Sequence, residues 1–97
     1  MDTNNEFQSR VVLVTGGTKG IGKGIAQAFL KAGAQVVVCG RQQPEEAVSY
    51  EGRSADFIAC DVREAQAVKD MITEVHARHG RLDVLINNAG GAPAVDA

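Results

Sequence analysis

The chain has 97 residues, of which 44% are hydrophobic and 23% charged, and its formal net charge is −2. This length allows one small domain with a thin core, and the slight negative charge argues against non-specific binding to nucleic acids or acidic membranes. No apolar run approaches the roughly 20 residues of a membrane-spanning helix, and two cysteines are too few for a disulfide framework, which favours a reducing, cytoplasmic setting.

The first half of the chain alternates between strand and helix signals. Residues 1–9 are polar and carry two acids, so they predict a flexible leader rather than a secretory signal, with the domain itself over residues 10–97. The run that starts that domain is short, apolar and β-branched, and residues 10–15 are therefore predicted to form a buried strand. From Ile21 the apolar residues recur at helical spacing until Gly33 supplies a stop.

The middle of the chain carries two further apolar runs separated by a polar stretch. Residues 36–39 predict a second buried strand, and residues 56–60 predict a third. Between them, Pro44 is suited to the first turn of a helix, so a short helix is predicted to run through Val48.

The last third of the chain predicts a helix and a fourth strand. Asp61 followed by Glu64 resembles a capping box, with an acidic N-cap and a Glu three residues on. The helix that it opens is predicted to end at Gly80, and residues 82–86 then form the fourth strand. Four strands alternating with three helical stretches predict an open, doubly wound parallel α/β sheet, whose ligands bind at the carboxyl ends of the strands.

The turn after the first strand is the most informative part of the sequence. A strand, a glycine-rich turn and a helix in this order make an anion-binding site. Residues 17–23 satisfy the G-x-x-x-x-G-K phosphate loop of nucleoside triphosphatases, but that motif needs Ser or Thr next to hold magnesium, and Gly24 stands there. The plain G-x-G-x-x-G fingerprint is absent, whereas the pattern T-G-x-x-x-G-x-G is filled by Thr15, Gly16, Gly20 and Gly22.

With Asp61-Val62 after the third strand and Asn87-Asn88-Ala89-Gly90 after the fourth, this pattern resembles the short-chain dehydrogenase/reductase family over about residues 10–91. The resemblance implies a Rossmann-type fold, a nicotinamide dinucleotide cofactor, and hydride transfer to or from a carbonyl or alcohol. It also implies a homo-oligomer, either a dimer or a tetramer, and a role for Asn87 in bracing the fourth strand against the first. The positions that it assigns to the cofactor are Gly16, Thr18, Gly20, Ile21, Gly22, Asp61, Val62, Asn88, Ala89 and Gly90. For Asp61, a role as helix cap alone is the alternative.

The end of the second strand bears on which nicotinamide cofactor is bound. Family members selective for NAD carry an acid there, which accepts hydrogen bonds from the ribose hydroxyls. Here Gly40 occupies that position, and Arg41 follows with a planar donor fork suited to phosphate. Because Lys19 in the glycine turn can reach the same region, we predict that NADP(H) is preferred over NAD(H). The alternative is that both cations are ordinary solvated surface charges.

The catalytic groups that the resemblance implies are a Tyr-x-x-x-Lys pair with a Ser and an Asn. The single tyrosine, Tyr50, is followed four residues later by Ser54 rather than by Lys, so we expect these groups beyond Ala97. The chain is therefore predicted to be the cofactor-binding part of an oxidoreductase that acts on a small-molecule carbonyl or alcohol, with no nucleic acid, membrane or metal partner. The alternative is a truncated, non-catalytic dinucleotide-binding module.

Overall fold

The computed structural model describes residues 7–88 and shows a parallel sheet flanked by helices. In chain order its elements are β1 (Val11–Thr15), α1 (Gly20–Lys31), β2 (Gln35–Gly40), β3 (Ser49–Tyr50), β4 (Arg53–Ser54), β5 (Asp56–Ala59), α2 (Ala65–His79) and β6 (Val84–Asn87). The main sheet has four strands in the order β5-β2-β1-β6, and its three neighbouring pairs are all parallel. The parallel α/β sheet predicted from the sequence is therefore confirmed.

Both faces of the two central strands, β1 and β2, are covered, which explains why these strands are continuous apolar runs rather than alternating ones. On one face, α1 buries Ala26 and Leu30 against alternate residues of β1 and β2. On the other face, α2 buries Met71 and Val75 against the remaining residues of the same strands. The strand residues of the first face are Val12, Val14, Val36 and Val38, and those of the second are Val11, Leu13, Val37 and Cys39.

The segment before β5 differs from its prediction. Residues 44–48 form no helix; β3 and β4 instead pair as an antiparallel hairpin, with positive φ at Glu51 and Gly52 (47° and 84°), as in a type I′ turn. The polar stretch around Pro44 has too few apolar residues to give a helix a buried face, and only Val48 is packed inside. Within residues 7–88 the main sheet is therefore accompanied by two helices and a hairpin, and the predicted third helical stretch was wrong.

The start of α2 also differs from its prediction. The N-cap is Glu64, with extended backbone and no side-chain capping bond, and not Asp61. The Asp61 carbonyl accepts the Glu64 N–H at 3.0 Å, while the Asp61 carboxylate accepts the Arg63 N–H at 3.0 Å. This local turn uses the carboxylate before the helix begins, because Asp side chains readily bond backbone groups two residues on.

The amino-terminal side of the described chain packs against α1. The ring of Phe7 meets that of Phe29 edge-on at 5.1 Å between centroids, and the Phe7 N–H donates to the Ala32 carbonyl at 3.1 Å. Residues 1–6 of the predicted leader lie outside the described residues. Within residues 7–88, neither helix has the length and apolarity needed to cross a membrane.

Candidate cofactor-binding site

The turn between β1 and α1 presents backbone donors at the end of the sheet. Gly16 and Gly20 have positive φ (65° and 63°), which gives the chain its sharp change of direction. The N-cap of α1, Lys19, is extended and makes no side-chain capping bond. The first N–H groups of a helix have no intrahelical acceptor and lie at the positive end of its dipole. The start of α1 is therefore suited to an anion.

Gly22 lets α1 lie directly against this turn. A Cβ at this position would overlap the Gly16 carbonyl oxygen and lie 2.5 Å from Nδ2 of Asn88. Only hydrogen fits here, so the glycine is required for the close approach of the helix to the strand ends.

Thr15 joins the turn to the end of β6. Its Oγ1 lies 3.1 Å from Oδ1 of Asn87 and accepts the Asn88 N–H at 2.8 Å. Nδ2 of Asn88 is 3.5 Å from the Gly16 carbonyl oxygen. The predicted bracing of the fourth strand against the first by Asn87 is confirmed by these bonds.

A cleft of about 970 Å³ opens at the carboxyl ends of the strands. Eight of the predicted site residues line it: Gly16, Thr18, Lys19, Ile21, Arg41, Asp61, Val62 and Asn88. Gly20 and Gly22 belong to the same turn, the first exposed and the second buried behind the cleft wall. Ala89 and Gly90 lie outside the described residues.

The end of β2 forms one wall of the cleft. Gly40 stands next to Thr18, and a Cβ built on it would lie 3.5 Å from the Thr18 hydroxyl oxygen, which is ordinary van der Waals contact. Arg41 and Lys19 are both exposed and both line the cleft. This wall therefore offers cationic groups, and a Cβ at Gly40 would fit without a steric clash.

The cleft lining also contains an ion pair that was not predicted from the sequence. Nε of Arg63 donates to Oδ1 of Asp61 at 3.0 Å, and Nη2 donates to Oδ2 at 2.8 Å. These hydrogen bonds, with a smaller contribution from the charge of Arg41, lower the pKa of Asp61 to about 2. An Arg two residues after an Asp can reach back to its carboxylate in a turn, but the same residues also fit a capping box, so the sequence did not decide between the two.

Cys39 and Cys60 are the remaining ionisable groups of the cleft lining, and both are buried free thiols. Burial raises the pKa of Cys39 to about 11, so this thiol is protonated at neutral pH. The Cys39 carbonyl accepts the Gly16 N–H at 3.0 Å, which ties β2 to the glycine turn. Both cysteines therefore act as buried packing residues of the core beneath α2.

Comparison with known proteins identifies the family. A family model described as short chain dehydrogenase matches residues 10–97. The chain belongs to the short-chain dehydrogenase family. This family binds a nicotinamide cofactor, and the short-chain dehydrogenase chain described here presents its glycine turn, Asp61-Val62 and Asn88 to one cleft.

Individual relatives match most of this chain. L-fucose dehydrogenase from Oryctolagus cuniculus is 43% identical over 94 residues, which cover 96% of this chain and 33% of that protein. The ligand-free aldohexose dehydrogenase of Thermoplasma acidophilum superimposes with a TM-score of 0.79 and 36% identity, over 89% of this chain and 31% of that one. The NADP active-site complex of Pseudomonas aeruginosa RhlG gives a TM-score of 0.81 and 33% identity, over 96% of this chain and 39% of that one. This short-chain dehydrogenase chain thus spans about a third of the length of the curated relatives it matches, and its Rossmann-type fold is confirmed.

Proposed function

We propose that this chain forms the NADP(H)-binding part of an oxidoreductase that transfers a hydride between nicotinamide and a carbonyl or alcohol. When bound, the nicotinamide ring supplies or accepts the hydride. Two of the compared proteins are named dehydrogenases of L-fucose and of aldohexose, which fits an alcohol or carbonyl substrate. The contribution of residues 7–88 is to bind and orient the cofactor, and the groups that act on the substrate are expected beyond Ala97.

The glycine turn would hold the pyrophosphate. Gly16 and Gly20 would bring the backbone close to the ligand, and Gly16, Thr18 and Ile21 line the cleft at this turn. The close approach at Gly22 places the first turn of α1, with its unpaired N–H groups, against the strand ends. The residues present fit a diphosphate because the donors are backbone N–H groups at the positive end of a helix dipole.

The adenosine half would meet Asp61 and Val62, with Asn88 and the two residues after it along the ribose. A carboxylate has about four acceptor positions. Asp61 uses three of them for the Arg63 N–H, Nε and Nη2, which leaves one on Oδ2 for an exocyclic amino group. The turn-forming role of Asp61 and a ligand contact are therefore compatible.

The observation that carries the cofactor preference is the end of β2. Gly40 offers no carboxylate to repel a 2′-phosphate, while Arg41 and Lys19 line the cleft as cations. A carboxylate at this position would favour the unphosphorylated ribose of NAD. The likeness to RhlG, solved as an NADP complex, supports the same preference.

The test is a titration of Arg41→Ala with each cofactor. A charge-assisted hydrogen bond contributes about 1.5–3 kcal/mol, so NADPH affinity is expected to fall by at least about tenfold while NADH affinity changes little. Arg81→Ala removes an exposed arginine outside the cleft and serves as the matched control. Equal losses for the two cofactors would overturn the proposed preference.

We propose that the protein is located in the cytoplasm and assembles as a homo-dimer or homo-tetramer, without nucleic-acid or membrane partners. The burial of both free cysteines is compatible with a reducing compartment. The assembly rests on the family resemblance and is checked by the solution mass of the protein.

A further inference from the structure

We propose that Arg63 determines cofactor specificity by neutralising Asp61, so that an ionised carboxylate can remain in the cleft beside a 2′-phosphorylated cofactor. The inference rests on the proposed function and deepens it. It makes Arg63 a positioning residue that acts through its neighbour, and it assigns the ion pair a task beyond forming the turn before α2.

The Arg63 guanidinium and the Asp61 carboxylate form a bidentate ion pair. Both oxygens of the Asp61 carboxylate are held by the guanidinium, at 3.0 Å and 2.8 Å, and the backbone N–H of Arg63 adds a third bond at 3.0 Å. Planar, bidentate pairing of this kind fixes both the position and the charge of a carboxylate. The Arg63 side chain is nevertheless 71% exposed, so it is not needed to fill the core.

The charges around the cleft explain why neutralisation matters. Among the described residues that line the cleft, Lys19, Arg41 and Arg63 are cationic and Asp61 is the single carboxylate. The positive charge of Arg41 helps to stabilise the ionised form of Asp61. By the same Coulomb interaction, an unpaired Asp61 would attract the Arg41 guanidinium and repel a phosphate bound by it. Arg63 removes that competition by satisfying the carboxylate first.

The experiment measures the dissociation constants of NADPH and NADH in one protein and its variants. The quantity compared is the NADH value divided by the NADPH value, because losses shared by both cofactors cancel in that ratio. Arg63→Ala is expected to lower the ratio by about fivefold, the order expected for the repulsion of one unit charge that water and salt partly screen. Adding Asp61→Asn to Arg63→Ala is expected to return the ratio to within about twofold of wild type, since the two residues form one coupled pair.

Two further variants separate charge from shape. Arg63→Lys keeps the positive charge but loses the planar guanidinium that pairs with both carboxylate oxygens. Its ratio of NADH to NADPH dissociation constants is expected to stay close to that of wild type. Arg81→Ala breaks a similar two-point pair, in which Nε and Nη2 of Arg81 hold Asp83 at 2.8 Å and 2.7 Å outside the cleft, and it is expected to leave the ratio unchanged. Raising the salt concentration is expected to shrink the Arg63→Ala effect, which loss of a purely structural contact would not do.

Each alternative outcome has a distinct meaning. An unchanged ratio in Arg63→Ala overturns the inference. A double variant whose ratio is as low as that of Arg63→Ala also overturns the inference. In that case the guanidinium would contact the phosphate directly rather than act through Asp61. If Arg41→Ala alters the ratio and Arg63→Ala does not, only the inference fails. If Arg41→Ala leaves the ratio unchanged, the proposed preference for NADP(H) fails and the inference falls with it.

Discussion

At the scale of single residues, Gly40 is the position where a side chain would alter cofactor choice most directly. It ends β2 beside the cleft, and the space next to it meets the hydroxyl of Thr18 at an ordinary contact distance. A Cβ can therefore be added at this position without a steric clash. This makes the position suitable for a test of charge that is separate from a test of size.

We predict that Gly40→Asp reverses the cofactor preference. The new carboxylate would repel a 2′-phosphate and accept hydrogen bonds from ribose hydroxyls, so NADPH affinity should fall by at least about tenfold while NADH affinity holds or rises. Gly40→Asn has nearly the same shape without the charge and serves as the control. Equilibrium titration of both cofactors measures the effect, and identical losses in the two variants would mean that size alone is responsible.

Gly22 and Gly24 form a second residue-level comparison, two positions apart in α1. A methyl group at Gly22 would overlap the Gly16 carbonyl oxygen, whereas nothing lies within 4 Å of a Cβ at Gly24. We predict that Gly22→Ala lowers the free energy of unfolding by about 1–3 kcal/mol and weakens both cofactors alike. Gly24→Ala should raise that free energy by about 0.5–1 kcal/mol. Urea unfolding measures both, and equal effects would contradict the packing described for the turn.

At the scale of elements, the hairpin secures the carboxyl end of α1. Arg53 on β4 donates to the carbonyl oxygens of Leu30, Gly33 and Ala34 at 3.0, 3.2 and 3.2 Å. The last carbonyls of a helix have no intrahelical donor, and a cation there also opposes the negative end of the dipole. The hairpin thus takes the place of a helix in this crossover and supports the helix before it.

We predict that Arg53→Ala lowers the free energy of unfolding by about 1–2 kcal/mol, since it removes charged hydrogen bonds that are partly exposed to water. Arg78→Ala is the comparison, because Arg78 pairs with Glu74 on the exposed side of α2 and such surface pairs contribute about 0–1 kcal/mol. Denaturant unfolding of the two variants distinguishes them. A loss no greater in Arg53→Ala than in Arg78→Ala would show that the end of α1 needs no cap.

The hairpin also shows why some elements could be predicted from the sequence and others could not. β1 and β2 are mainly buried valines, and continuous apolar runs of this kind form strands in the middle of a sheet. α1 has a periodic apolar face, and Gly33 ends it. Pro44 fits a helix start and an irregular loop equally well by local preference. The loop and hairpin are favoured over a helix by the burial of Val48 and by the hydrogen bonds from Arg53 to distant carbonyl oxygens. Neither contact can be recognised from a local sequence pattern.

At the scale of the whole molecule, residues that are distant in sequence meet because parallel strands end at one edge. The glycine turn, Asp61-Val62 and Asn88 could be predicted to share a cleft for that reason alone. The pairing of Asp61 with Arg63 could not, because a capping box and a local turn use the same Asp and differ only in where the helix begins. The topology of the sheet determines where the ends of the strands meet. The partner of a side chain depends instead on the residue at which a helix begins, which sequence patterns define only to within one or two residues.

The attachment of β6 to the sheet is the longest-range assembly step among the described residues, and it depends on a carboxylate. Oδ2 of Asp83 accepts the Val11 N–H at 2.8 Å, and Arg81 holds both carboxylate oxygens. The Arg81 hydrogen bonds, followed by that of the Val11 N–H, lower the pKa of Asp83 below its ordinary value of 3.8. The folded state therefore binds this proton more weakly than the unfolded state does.

The sign of the pH effect follows from that difference. The contribution of Asp83 to stability is complete above its unfolded pKa and is lost as the pH falls through the lowered folded pKa. We predict that Asp83→Asn is destabilised near neutral pH, but that its free energy of unfolding falls less steeply than that of wild type between about pH 5 and pH 2. Asp70→Asn makes the same substitution at an exposed position of α2, away from β6, and is the matched control. Parallel pH profiles for wild type and Asp83→Asn would mean that apolar contacts alone hold β6 in the sheet, and the bonds to Val11 would then define its register without stabilising it.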